Sequence, residues 1–136
     1  MSIQNALNTA VFSKLSGGTA LTSLLGGTAI YYQQAPDDQA LPFVVFDIAT
    51  ELDENMTAND TKNCIIFVRG FASTPSLAGS IDWQCDALLN KADLTVSGYA
   101  NFWTRREDGF KILETDAAGV RTYMSGAQYR VRLDKN

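Results

Sequence analysis

The sequence predicts an α+β fold: a single domain with a mainly antiparallel β-sheet of about five to six strands, two main α-helices and a short N-terminal helical turn packed on it. Three observations support this prediction. The chain has 136 residues, the length of one domain. Apolar residues recur at helical spacing in two segments. Most of the remaining apolar runs are rich in β-branched and aromatic residues and are bounded by Gly, Pro, Asn or Asp, as strands are.

The two helical segments have recognisable ends. The first spans about Ser2–Leu15, with Ser2 as the N-cap and a Gly17-Gly18 stop. A shorter turn follows and ends at Gly26-Gly27. The second helix begins at Ser73-Thr74-Pro75 and runs to about Asn90, because a capping residue followed by Pro is a helix start signal.

We expect a β-hairpin at the centre of the sheet. The apolar runs Ile30–Gln33 and Phe43–Ala49 flank a polar loop, Gln34–Gln39, which carries Asp37 and Asp38. The second run is apolar on both sides at its start, which indicates a strand whose two faces are both covered.

Four further strands are predicted, and a polar acidic loop, Leu52–Thr61, precedes the first of them. We expect turns at Asp108-Gly109 and Ala118-Gly119, and a β-bulge at Gly126 because it interrupts an alternating pattern. The four predicted strands are Lys62–Phe71, Tyr99–Arg105, Phe110–Glu114 and Val120–Leu133.

Composition excludes several kinds of site. The chain has no histidine, which removes Ser-His and Cys-His nucleophile pairs and His-based zinc sites. Its net charge of −4 argues against a dedicated nucleic-acid binder. Cys64 and Cys85 form no metal-binding motif, and we predict two core thiols rather than a disulfide. No cofactor and no metal are expected. The chain shows no signal peptide and no membrane-spanning run, so we expect synthesis in the cytoplasm.

Two surface features are candidates for contacts. On a helical projection Trp83 lies opposite the apolar stripe of its helix, among Gly79, Asp82, Asp86 and Asn90. It either packs on a local loop such as Asp93–Ser97 or anchors a subunit contact. A basic patch forms if the two C-terminal strands pair, but no aromatic residue is expected to interleave with it; its members are Arg105, Arg106, Arg130 and Arg132.

The stretch Ala10–Thr50, AVFSKLSGGTALTSLLGGTAIYYQQAPDDQALPFVVFDIAT, resembles the tail-completion or tail-terminator proteins of long-tailed siphophages and prophages. The likeness lies in an amphipathic helix, a Leu-Leu-Gly-Gly turn, a strand with Ile-Tyr, and Leu41-Pro42-Phe43-Val44-Val45 after a polar loop. A central strand, a further helix and a C-terminal strand of alternating Tyr, Arg and Val extend the resemblance over nearly the whole chain.

The resemblance implies assembly rather than catalysis. Such proteins form a ring, usually six-fold, on the head-proximal end of the tail tube, where they end tube polymerisation and dock to the head–tail connector. The implied partners are copies of the chain, the tail tube protein and the connector or stopper protein. Viral DNA would pass through the lumen without specific binding, the place would be the tail or neck of the virion, and no membrane would be involved.

The residues expected at ring or tube contacts are Trp83, Asp37, Asp38, Asp53, Glu54, Asn55, Met56, Arg130 and Arg132. Three other functions remain open at this point: another neck protein such as a head-completion or stopper protein, a small enzyme using carboxylates and a metal, and a ligand-binding module.

Overall fold

The protein, described by a computed structural model over residues 2–54 and 61–135, is a five-stranded sheet with three helices. The helices are α1 (Ile3–Ser16), α2 (Thr19–Leu25) and α3 (Pro75–Leu89). The strands are β1 (Ile30–Tyr32), β2 (Phe43–Glu54), β3 (Thr61–Ala72), β4 (Tyr99–Thr115) and β5 (Arg121–Lys135). Their order across the sheet is β1-β2-β3-β5-β4. The predicted α+β class is confirmed.

The helix ends form as their sequences predict. The side chain of Ser2 accepts a hydrogen bond from the backbone N–H of Asn5 at 3.2 Å, and Thr74 accepts one from Leu77 at 3.2 Å. Pro75 follows Thr74 at the start of α3, where a backbone N–H would have no hydrogen-bond partner within the helix, so its absence loses no hydrogen bond. These local signals fix the start of both long helices.

The core lies on one face of the sheet, beneath the helices. Leu7 and Leu15 of α1 and Ile81 and Leu89 of α3 are fully buried in one cluster with Phe46, and the cluster extends to strand residues of the same sheet face. Those strand residues are Val44, Cys64, Ile66, Val68, Ala127, Tyr129 and Val131. Within the described residues no helix covers the opposite face, so the chain's own helices cover only one of the two faces that the sequence led us to expect to be covered.

The predicted central hairpin is also wrong. β1 pairs with β2 in parallel, with Ile30 opposite Val44 and Tyr32 opposite Phe46. The connection, residues 33–42, is long enough to return the chain to the start of β2, so the two strands run in the same direction. β1 lies at the edge of the sheet, and β3 occupies its centre.

Strand β4 continues where a turn was expected. Asp108 and Gly109 pair with β5, and a bulge between Arg106 and Asp108 absorbs one extra residue. The predicted bulge at Gly126 is absent, because Gly126 pairs in register with both Arg69 and Phe110. A Cβ at Gly126 would lie 2.5 Å from the carbonyl oxygen of Val68, so close packing explains this glycine.

The predicted loop Leu52–Thr61 is partly strand. Leu52, Asp53 and Glu54 extend β2, and Thr61 begins β3. Asn55 and Met56, two of the expected contact residues, lie outside the described residues.

Candidate functional site

Trp83 projects from α3 into solvent, with 71% of its surface exposed. It lines an open cavity of about 550 Å³ between α2 and α3, together with Ala20, Leu24 and Gly79. The segment Asp93–Ser97 does not cover it, so packing against a local loop is not the explanation for this side chain. An exposed tryptophan beside a shallow groove is suited to contact another protein.

Asp37 and Asp38 are exposed on a loop that is tied to the sheet edge. The N–H of Gln39 donates to the carbonyl of Pro36 at 2.9 Å, closing a turn around the two acids. The hydroxyl of Tyr31 in β1 donates to the side-chain oxygen of Gln39. Neither carboxylate forms an ion pair within residues 2–54 and 61–135, so both charges face outward.

The outer end of β2 combines acidic and apolar side chains. Lys62 of β3 forms ion pairs with Glu51 at 3.3 Å and with Asp53. The hydrogen bond that Lys62 donates to Asp53 has the largest effect on the pKa of Lys62 and raises it, while burial acts to lower it. Leu52 pairs with Asn63 and lies on the sheet face without helices, where its side chain is 60% exposed. Asp53 therefore lies in a strand rather than in the loop expected from the sequence.

The sheet face without helices carries arginines interleaved with aromatic rings, contrary to the expectation from sequence. Arg105 lies 4.9 Å from the ring centre of Trp103, and Arg132 lies 5.8 Å from that of Phe102. Arg130 pairs with Glu107 at 2.9 Å, and this hydrogen bond is the main reason that the pKa of Glu107 is lowered.

Arg106, expected in the same basic patch, lies on the helix-covered face. Its guanidinium donates to both carboxylate oxygens of Asp82, at 3.3 and 2.9 Å, and lies 3.5 Å from Asp86. Burial acts to lower the pKa of Arg106, but Asp82 more than offsets this and raises it. The hydroxyl of Tyr129 donates to Asp86 at 3.4 Å, and burial raises the pKa of Tyr129.

The cluster of Asp82, Asp86, Arg106 and Tyr129 joins α3 to β4 and β5. The helical projection, which placed Asp82 and Asp86 on the solvent side with Trp83, was therefore wrong for these two residues. Both side chains are largely buried, at 13% and 26% exposure. Their spacing of four residues on α3 was the available signal, since it places both on one flank of a helix. The cluster holds these elements together, and its Arg106 also lines a cavity between β4 and the segment that follows α3.

Chemistry that could support catalysis is scarce in the part of the chain that is described. Residues 2–54 and 61–135 contain no group of three or more His, Cys, Asp or Glu that could hold a metal ion. Burial raises the pKa of Cys64 to about 11 and that of Cys85 to about 12, so both thiols stay protonated. The prediction of two core thiols is confirmed. None of the described helices has both the length and the apolar content needed to cross a membrane.

Comparison with known proteins gives one family and two informative structures. The sequence profile of the family described as tail completion protein gp17 matches residues 9–134. A chain from the virion of a native gene transfer agent (GTA) particle is 21% identical, with 98% of each chain covered and a TM-score of 0.74. The bacteriophage SPP1 gp17 protein is 19% identical, covers 98% of this chain and 91% of its own, and has a TM-score of 0.54. No curated protein sequence matches.

Proposed function

The chain belongs to the tail completion protein gp17 family, a family of structural phage tail proteins, and we propose that it closes into a ring, six-fold in symmetry, on the head-proximal end of the tail tube. The ring ends tube polymerisation because its outer face does not match a tube subunit. The same face docks to the head–tail connector or stopper protein, and viral DNA passes through the lumen.

The observation that best supports the proposed ring is the open sheet, whose two edges differ. β1 has three residues and β4 has seventeen, and they bound the sheet on opposite sides. Two different surfaces on one subunit favour a head-to-tail contact, which repeats from copy to copy and generates a ring when the rotation closes. Exposed large apolar side chains at separate places, including Leu52, Trp83 and Phe102, supply contact area of the kind such interfaces bury.

The charge balance is compatible with a DNA passage. A net charge of −4 gives little net attraction for phosphates, and strong attraction would slow the transit of DNA through a lumen.

The function is tested by deleting the gene from its phage or prophage and measuring particles by electron microscopy. Loss of a tail terminator is expected to give overlong tails or tails without heads, and a plasmid copy should restore normal particles. Filled heads that leak DNA, together with tails of normal length, would instead identify a head-completion or stopper protein. Normal particles would refute both functions.

Replacing Trp83 with alanine is expected to impair assembly without unfolding the chain. Because the side chain is 71% exposed, the free energy of unfolding should change by less than about 0.5 kcal/mol. A buried tryptophan anchor in an interface contributes about 2 kcal/mol or more, so ring assembly or tail joining should weaken at least about 30-fold. Phe12→Ala, at another exposed aromatic position, is the control. Unaltered assembly and tail joining in the Trp83→Ala protein would remove Trp83 from the interface.

A further inference from the structure

Charge is distributed unevenly between the two sides of the sheet. Residues 15–61 contain no Lys or Arg but seven Asp or Glu. Residues 91–135 contain eight Lys or Arg against six Asp or Glu, a balance of +2. The first segment includes β1 and β2 at one edge, and the second includes β5 and β4 at the other. The β1–β2 side of the sheet is therefore acidic, whereas the opposite side has a small positive excess that lies in β5, because β4 itself has three Lys or Arg against three Asp or Glu.

The strand register shows which residues of the two edges lie at the same level. Leu52 pairs with Asn63, Asn63 with Arg132, and Arg132 with Trp103, so one row runs from Leu52 across the sheet to Trp103. β1 pairs only with the first part of β2, from Val44 to Phe46. Within the described residues, the outer edge of β2 at Leu52 therefore has no strand beside it.

A cavity of about 710 Å³ lies at the β4 end of this row, between β4 and the segment that follows α3. Phe102 and Trp103 provide its aromatic lining, and Phe102 is 57% exposed. Lys91 and Arg105 also line it; both are exposed and neither forms an ion pair within the described residues, whereas Asp93 contributes one negative charge. The cavity thus suits an apolar side chain accompanied by carboxylates.

The β2 edge has that composition. Leu52 is exposed and is flanked in sequence by Glu51 and Asp53, which share a single lysine, Lys62. Two carboxylates and one ammonium leave this end of β2 with a net negative charge.

We propose that Leu52 of one copy inserts between Phe102 and Trp103 of the next, with Asp53 facing Lys91 and Arg105. This head-to-tail contact rests on the proposed ring and identifies its subunit interface. Opposite charges align the two edges and set the register, and the apolar contact at the centre excludes water.

Cysteine cross-linking tests the contact directly. The full-length Leu52→Cys/Phe102→Cys protein, mildly oxidised, should give a ladder of covalent multimers, while each single variant should remain monomeric on a denaturing gel. Intramolecular closure is excluded because three strand spacings separate the two positions, roughly 14 Å, and a disulfide needs Cα atoms within about 7 Å. The buried Cys64 and Cys85 are the same in every sample.

Charge exchange gives a second measurement on the intact chain. Asp53→Arg alone and Lys91→Glu/Arg105→Glu alone should each weaken oligomerisation at least about tenfold. Both sets of changes in one chain should restore it, and so should an equal mixture of the two variants, since unlike copies can alternate around an even-membered ring. Lys14→Glu, at an exposed position on α1, is the control and should assemble normally.

The outcomes separate this interface from the ring itself. A native protein that forms rings, in solution or on tails, while the double-cysteine protein gives no ladder and the charge variants assemble normally would overturn this interface and leave the ring standing. Dimers from Leu52→Cys alone would show a self-complementary contact and would also overturn it. A native protein that never oligomerises, free or on tails, would refute the proposed function as well.

Discussion

Replacing Gly126 with alanine is expected to lower the free energy of unfolding by about 3 kcal/mol, because the sheet leaves no room for a Cβ. The added atom would lie 2.5 Å from the carbonyl oxygen of Val68 and 3.1 Å from the Cα of Arg69, both of them backbone atoms in the central strand. The ring of Phe110, 3.0 Å away on the other side, restricts movement of β5. Urea denaturation of the purified protein measures the loss.

Gly79→Ala is the matched control for this substitution. Gly79 lies in α3, and a Cβ there would meet nothing within 4 Å. Alanine should therefore stabilise the protein, by up to about 1 kcal/mol, through its higher helix propensity. A loss of less than about 0.5 kcal/mol at Gly126 would mean that β3 and β5 do not approach as closely as described.

Replacing Asp82 with alanine is expected to cost about 2 kcal/mol of stability, because it leaves the partly buried Arg106 with one weaker partner. The guanidinium would lose its two hydrogen bonds to Asp82 and retain only Asp86 at 3.5 Å. The hydroxyl of Ser125, which donates to Asp82 at 3.3 Å, would also lose its acceptor. Thermal and urea unfolding measure the effect.

Two further variants show whether the loss comes from an unpaired charge. Asp38→Ala removes an exposed carboxylate that forms no ion pair among the described residues, and it should change stability by less than about 0.5 kcal/mol. The double variant Asp82→Leu/Arg106→Met should be less destabilised than Asp82→Ala, since it removes both charges together. Equal losses in Asp82→Ala and Asp38→Ala would contradict a structural role for this ion pair.

The features that were predictable from sequence are those set by neighbouring residues. Ser2 and Thr74 cap their helices, and the burial of Cys64 and Cys85 follows from strand and helix spacing. The direction of β1 was not predictable in this way. Alternation and polar flanks mark a strand, but its partner and direction depend on packing against residues distant in sequence.

The candidate interface was only partly predictable for the same reason. The exposure of Trp83 follows from its position on α3, and the outward-facing Asp37 and Asp38 follow from loop composition. The placement of Arg106 beside Asp82 depends on a second bulge in β4, between Asn101 and Trp103, which shifts the faces of the residues after it. The alignment of Leu52 with Trp103 needs three strand registers, none of which the sequence specifies alone.

We expect the chain to act at the head-proximal end of the tail by assembling with copies of itself. Gold labelling of an epitope-tagged copy in purified, infectious particles tests it most directly. Label is expected at the junction between head and tail, with several copies per particle. Label at the distal tip or along the tube, or particles that carry none, would contradict it.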